Sequence, residues 1–222
     1  MSIGFIHEAI WSGSTIEDGE QPNSFSDFLR VFIAEDRKKE DYNIVPDTHL
    51  NALGNHLGVW EFLFQKSLHH QKIKFYYQHF FEDTSGLRFR NQFDGLWGLE
   101  LENYIPKTNI LIEYLNASNS KQDSYYNHGT YKLGWSYKNY TLGNPFVNHL
   151  NINPVNVLHL AIDGEFLDYS YQMKVSKKIN ISDFIKYKID INKKINTVNS
   201  VGIFIVNNDN KIGLGVNILW IL

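Results

Sequence analysis

The chain has 222 residues and a formal net charge of −3, with 21 Lys and Arg against 24 Asp and Glu, so no general basic field marks it as a nucleic-acid binder. It contains no cysteine, which excludes disulfides, thiolate metal ligands and a thiol nucleophile. Aromatic residues reach 15% although the mean hydropathy is −0.33, a pairing that suits a water-filled barrel with aromatic girdles or a soluble β-sandwich with an aromatic core.

The N-terminal stretch carries Glu8 among its apolar residues and lacks a basic leader, so it does not read as a secretory signal. For an outer-membrane protein, Met1 is then expected to be an internal start; otherwise the membrane reading itself is wrong. Nowhere does an apolar run approach the roughly 18 residues of a membrane helix. Instead, strands are expected at 3–11, 56–65, 73–81, 94–102, 109–115, 154–162, 166–175, 185–192, 200–206 and 211–222. The better ones alternate cleanly: Tyr187, Ile189 and Ile191 interleave with Lys186, Lys188 and Asp190. In the last strand Ile212, Leu214, Val216 and Ile218 interleave with Gly213, Gly215 and Asn217. One oily and one small or polar face per strand is the pattern of a transmembrane β-barrel. Strand 109–115 fits worst, because Leu111 and Leu115 flank Glu113 on its polar side.

Between strands 3–11 and 56–65, Phe25, Phe28, Leu29, Phe32 and Ile33 recur at helical spacing behind Ser24 and Asp27, a capping-box pair. This apolar stripe is expected to be buried, most simply at a barrel mouth as a plug or gate, or within its own loop. The connections alternate in length. Those at 12–55, 82–93, 116–153, 176–184 and 207–210 form the long set, although the last is short for it, and those at 66–72, 103–108, 163–165 and 193–199 the short set. Outer-membrane barrels sort their loops in this way, long outside and tight on the periplasmic side.

Three groups of phrases resemble the Wzi family of capsule-assembly proteins. They are residues 4–11 (GFIHEAIW) with 21–32 (QPNSFSDFLRVF); 51–58 (NALGNHLG) with 81–89 (FEDTSGLRF) and 94–100 (DGLWGLE); and 125–137 (YYNHGTYKLGWSY) with 142–146 (LGNPF). Their order is similar to the C-terminal half of that family, up to about residue 175. The resemblance implies an all-β fold: an antiparallel transmembrane β-barrel of roughly eighteen strands, of which this chain, as one domain over 1–222, is the C-terminal portion of about ten. It also implies a bacterial outer-membrane protein that binds capsular polysaccharide at the cell surface and assists capsule assembly. Such a protein is no enzyme and takes no cofactor or metal. Its partners are the polysaccharide, outer-membrane lipid and the barrel assembly machinery, and it works as a monomer.

A glycan site needs rings to stack on sugar faces, with amides and charges to fix hydroxyls and carboxylates. Tyr125, Tyr126, Asn127, His128, Tyr131, Trp135 and Tyr137 supply that mixture on an expected outer loop, where they otherwise pack the loop into the mouth and seal it. Arg88 and Arg90 add a candidate anion contact in the preceding long loop. On the polar face, Glu100, Glu102 and Glu113 and then Lys174, Lys186, Lys188 and Lys211 read as paired or solvated lumen charges, or as a strip attracting an acidic glycan. Two alternatives stay open. One is a barrel enzyme of protease or lipase type, for which His79, His128, His149 and His159 have candidate partners in Asp83, Asp123 and Ser124, although no serine lies in a nucleophile motif and no zinc-ligand spacing occurs. The other is a soluble β-sandwich lectin.

Overall fold

In a computed structural model, the described residues are 1–15, 19–36, 53–118, 125–128, 131, 133–147, 155–179, 185–208 and 211–220. The elements follow in chain order. Strand β1 (Ser2–Ile10) leads through the short pair β2 (Ser14–Thr15) and β3 (Gly19–Glu20) to helix α1 (Phe25–Phe32). Strands β4 (Asn55–Leu68) and β5 (Gln71–Phe81) form a hairpin, then comes a single helical turn, α2 (Thr84–Leu87). A second hairpin, β6 (Gly95–Ile105) and β7 (Thr108–Ala117), precedes the short pair β8 (Ser136–Tyr137) and β9 (Tyr140–Thr141). The chain closes with β10 (Val155–Phe166), β11 (Tyr169–Lys178), β12 (Ile185–Lys194), β13 (Ser200–Asn208) and β14 (Lys211–Leu219).

The ten long strands make one antiparallel sheet in the order β1-β4-β5-β6-β7-β10-β11-β12-β13-β14, so every strand lies beside its predecessor among the long ones. Among the described residues β1 and β14 each pair on one side only, and they do not meet. The sheet is therefore not closed into a barrel. All ten expected strands are present, and the loops alternate as expected except at the last: short turns join β4 to β5, β6 to β7, β10 to β11 and β12 to β13, longer connections lie at the other end, and only two residues separate β13 from β14 there. The last expected strand reaches only Leu219, and its final residues, 221–222, lie outside the described ones, as does residue 154.

Residues directly opposite in an antiparallel pair point to the same side, so the register sorts every side chain. One face carries continuous apolar rows. Phe62, Tyr77, Trp97 and Tyr114 stand opposite one another across β4 to β7, and Met173, Ile189, Ile205 and Leu214 across β11 to β14. Much of this face is uncovered, with Ile203, Leu214, Val216 and Ile218 among the exposed residues. The other face is polar and internally paired. Lys72 meets Glu102 at 2.8 Å, Lys74 meets Glu100 at 2.9 Å, and Gln78 donates to Glu61 at 2.7 Å. Farther along, Asn109 donates to Asp163 at 3.0 Å and Lys188 lies 3.2 Å from Asp190. Gly98 makes one such contact possible. It sits between Tyr76 and Glu113 in the register, and a Cβ there would fall 2.0 Å from the Tyr76 ring. With no side chain in the way, the Tyr76 hydroxyl crosses the strand and donates to Glu113.

Two expectations are corrected. The turn expected at 163–165 lies instead at Leu167 and Asp168, with Phe166 opposite Tyr169. Asp163 and Gly164 look like turn residues, but Asp163 is held in the sheet by Asn109 on one side and Gln172 on the other, and Leu167 takes the left-handed φ of 54°. The helix forms where its spacing places it, with Ser24 and Asp27 completing the capping box. Its stripe is nevertheless not buried: Phe25, Phe28, Leu29, Phe32 and Ile33 are all exposed, and Val31 on the other side is the buried residue. The reason is positional. The C-terminal end of α1 is fixed beside the apolar face, where Thr84 donates to the Ala34 carbonyl and Val31 packs over Gly54. That leaves the stripe pointing away from the sheet.

Candidate functional site

The polar face changes character toward the long-loop end. There Leu57, Val59, Phe80, Leu96, Leu115, Ala117, Val155 and Val157 replace the charges. This explains the awkward pattern of β7, since Leu115 belongs to that patch while Glu113 belongs to the charged region. Residues from the loop between β7 and β10 cover the patch: Tyr125, Tyr126, Trp135 and Val147 are buried there, with Phe146 packed against them. The result is a small hydrophobic core at the long-loop end of an otherwise polar face.

Hydrogen bonds fix this loop to three neighbours. The Trp135 indole donates to the His56 carbonyl at 3.1 Å. The Tyr125 hydroxyl donates to the Asp94 carboxylate at 2.9 Å and accepts from Asn91. The Tyr126 backbone N–H donates to Glu82, while its hydroxyl accepts from the Asn144 N–H at 2.9 Å. Gly134 (φ 53°) lies where any side chain would strike the Tyr126 carbonyl, at 1.9 Å. Trp135 in turn donates its backbone N–H to that carbonyl. Burial and the neighbouring Asp94 carboxylate push the Tyr125 phenol well above its ordinary acidity range, so it stays a neutral donor. Burial raises Tyr126 too, partly offset by the Asn144 N–H.

The expected glycan residues therefore separate into two groups. Tyr125, Tyr126 and Trp135 are buried and build the loop's frame. Asn127, His128 and Tyr131 are half-buried above it; Tyr131 donates its hydroxyl to the Ser12 carbonyl at 3.1 Å and its backbone N–H to His128 at 3.1 Å. Tyr137 is 63% exposed. It stands opposite Tyr140, which is 78% exposed and which the sequence reading passed over. Lys138 and Asn139 between them both take left-handed φ, 48° and 68°, the type I′ hairpin geometry. The Tyr-Lys-Asn-Tyr run, with Asn in a tight turn between matched aromatics, is the signal that marks Tyr140. The Lys138 ammonium sits 5.3 Å from the centre of the Tyr137 ring. Arg88 and Arg90 are exposed beside α2, clear of the buried core.

Of the histidines that could serve catalysis, His79 and His159 hold structural places. His79 is buried, donating from Nε2 to the Gly86 carbonyl at 2.9 Å, with Nδ1 2.7 Å from the Tyr77 hydroxyl. His159 meets Ser176 at 2.7 Å. Asp123, Ser124 and His149, further candidates for catalysis, lie outside the described residues. Among the described residues no cluster of His, Asp and Glu has the makings of a metal site, and no helix is long and apolar enough to cross a membrane.

The family model described as capsule assembly protein Wzi matches residues 1–193. No curated protein matches the chain, and no solved structure does.

Proposed function

The chain belongs to the family of the capsule assembly protein Wzi, and we propose that its role in capsule assembly is to form part of an outer-membrane barrel that holds capsular polysaccharide at the cell surface. One observation carries the reading: the sheet is apolar and uncovered on one side, polar and internally paired on the other, with its long loops at one end. In an outer-membrane barrel the apolar side of such a sheet meets hydrocarbon and the polar side lines a water-filled lumen. The loop core over Phe80, Leu115 and Val157 then closes the lumen at the outer mouth, and the β8–β9 hairpin stands on top of that closure.

The glycan contacts follow from exposure. Tyr137 and Tyr140 offer two ring faces with Lys138 between them for an acidic sugar. Asn127, His128 and Tyr131 form the half-buried floor, while Tyr125, Tyr126 and Trp135 act by holding the loop in shape. Arg88 and Arg90 are further cationic contacts on the neighbouring loop. No proton transfer or nucleophile is required, because the task is retention.

A Tyr137→Ala, Tyr140→Ala double variant tests this. Neither ring belongs to the buried core, so assembly and surface display are expected to be unchanged, while binding of purified capsular polysaccharide falls, with ring contacts worth about 0.5–1.5 kcal/mol each. Undiminished polysaccharide binding by a correctly displayed variant would remove the hairpin from the site.

A further inference from the structure

Helix α1 has its polarity reversed. Projected down its axis, Phe28, Phe32, Phe25, Leu29 and Ile33 fall in one continuous arc, and all five are exposed, Phe25 at 73% and Phe32 at 67%. The opposite side carries Val31, which is buried, and Arg30, whose side chain is largely shielded between Asp27 at 3.4 Å and Glu35 at 3.3 Å. A helix on a watery surface turns its charges outward and its apolar arc inward. Here the ions face the protein and five large apolar side chains face away.

The arc also continues an existing surface. Phe5 on β1 shares the sheet's apolar side with Trp60 and is exposed, as is Ile3 two residues earlier. Trp11, just past the end of β1, meets Phe28 edge-on with ring centres 5.4 Å apart. On the same side the His7 Nε2 lies 2.8 Å from the His56 Nδ1. Apart from the half-buried His7 imidazole, an apolar band runs from β1 through Trp11 onto the helix, at the long-loop end of the sheet. No charged or hydrogen-bonding side chain interrupts the helical arc, which suits acyl chains.

We propose that α1 is an interfacial anchor, lying in the plane of the outer leaflet at the headgroup–acyl boundary with its apolar arc sunk into lipid. The placement rests on the barrel reading above and adds to it a second mode of membrane contact, a helix lying on the bilayer beside strands that cross it. It also ties the mouth loops to membrane depth, because the residue that holds the end of α1, Thr84, belongs to the loop bearing Arg88 and Arg90.

The absence of cysteine allows one unique label per variant. The full chain would be reconstituted in phosphatidylcholine vesicles as Phe32→Cys, Leu214→Cys and Asn217→Cys, each carrying an environment-sensitive fluorophore. Quenching by acyl-chain nitroxide lipid and by aqueous iodide is then measured. Loss of emission to the lipid quencher at Phe32 and Leu214, with iodide reaching only Asn217, is the expected result. Lipid quenching at Leu214 but not at Phe32 overturns the anchor alone and leaves the barrel reading standing. In that case iodide quenching at Phe32 means the arc faces water, and protection from both quenchers means protein covers it, a second copy or another segment. Absence of lipid quenching at Leu214 overturns the barrel reading and the anchor with it.

Discussion

Replacing Ile189 with Arg is expected to weaken folding into a bilayer by about 2–4 kcal/mol, the cost of a basic side chain at mid-membrane on the outside of a barrel. Ile189 lies at the middle of β12, opposite Met173 on β11 and Ile205 on β13. A guanidinium there finds neither a partner nor water within the apolar row, and only snorkelling relieves it. The adjacent residue gives the contrast. Lys188 points to the polar side, where it lies 3.2 Å from Asp190 with nearly half its side chain accessible. Lys188→Gln should cost clearly less than Ile189→Arg, because the shorter amide still lies on the wet side and the Asp190 carboxylate keeps the Asn217 amide at 3.3 Å. Urea titration of both variants folded into vesicles checks the pair. Two equal small effects would mean that the apolar rows do not face hydrocarbon.

Trp135→Ala is expected to release the loop without dissolving the sheet. Trp135 is 7% exposed within the core over Phe80, Leu115 and Val157, and truncating a buried Trp typically costs about 3–5 kcal/mol. The His56 carbonyl also loses its indole donor. Local opening draws on only part of a protein's stability, so a loss of this size should leave the segment around Tyr125 and Tyr126 open. Limited proteolysis and hydrogen exchange should show fast cleavage and exchange at 125–147, with β11 to β14 protected as in the parent. Simultaneous loss of protection in those strands would show the loop core and the sheet to be one cooperative unit. The same variant should lose polysaccharide binding indirectly, since the β8–β9 hairpin begins at the next residue, Ser136.

The strand pattern was legible because period-two alternation is a direct consequence of the pleat, and it survives whichever solvent lies on either side. A meander forces alternate connections to one end, and the long ones gather there except the last, where only two residues separate β13 from β14. What alternation does not encode is the change of environment along a face. Glu113 and Leu115 share a side of β7, yet one is crossed by Tyr76 and the other is buried under loop aromatics; only the return of a distant loop creates that difference. The aromatic segment shows the same limit. Tyrosine suits both a wet surface and a dry core, so spacing alone does not separate Tyr125 and Tyr126, which are buried, from Tyr137, which is exposed. For α1, the capping box and the apolar spacing fixed the helix and its ends. The direction of its stripe depended on contacts made by Val31 and Ala34, neither of which carries a sequence signal.

The most direct test of the central claim is a cysteine scan along β14, reading lipid and iodide quenching at each position from 211 to 219 in reconstituted vesicles. An oscillation of period two is expected, with lipid quenching at Ile212, Leu214, Val216 and Ile218 and weak lipid quenching at Gly213, Gly215 and Asn217. Uniform accessibility to iodide along the strand, or protection of the even-numbered positions from both quenchers, would contradict it.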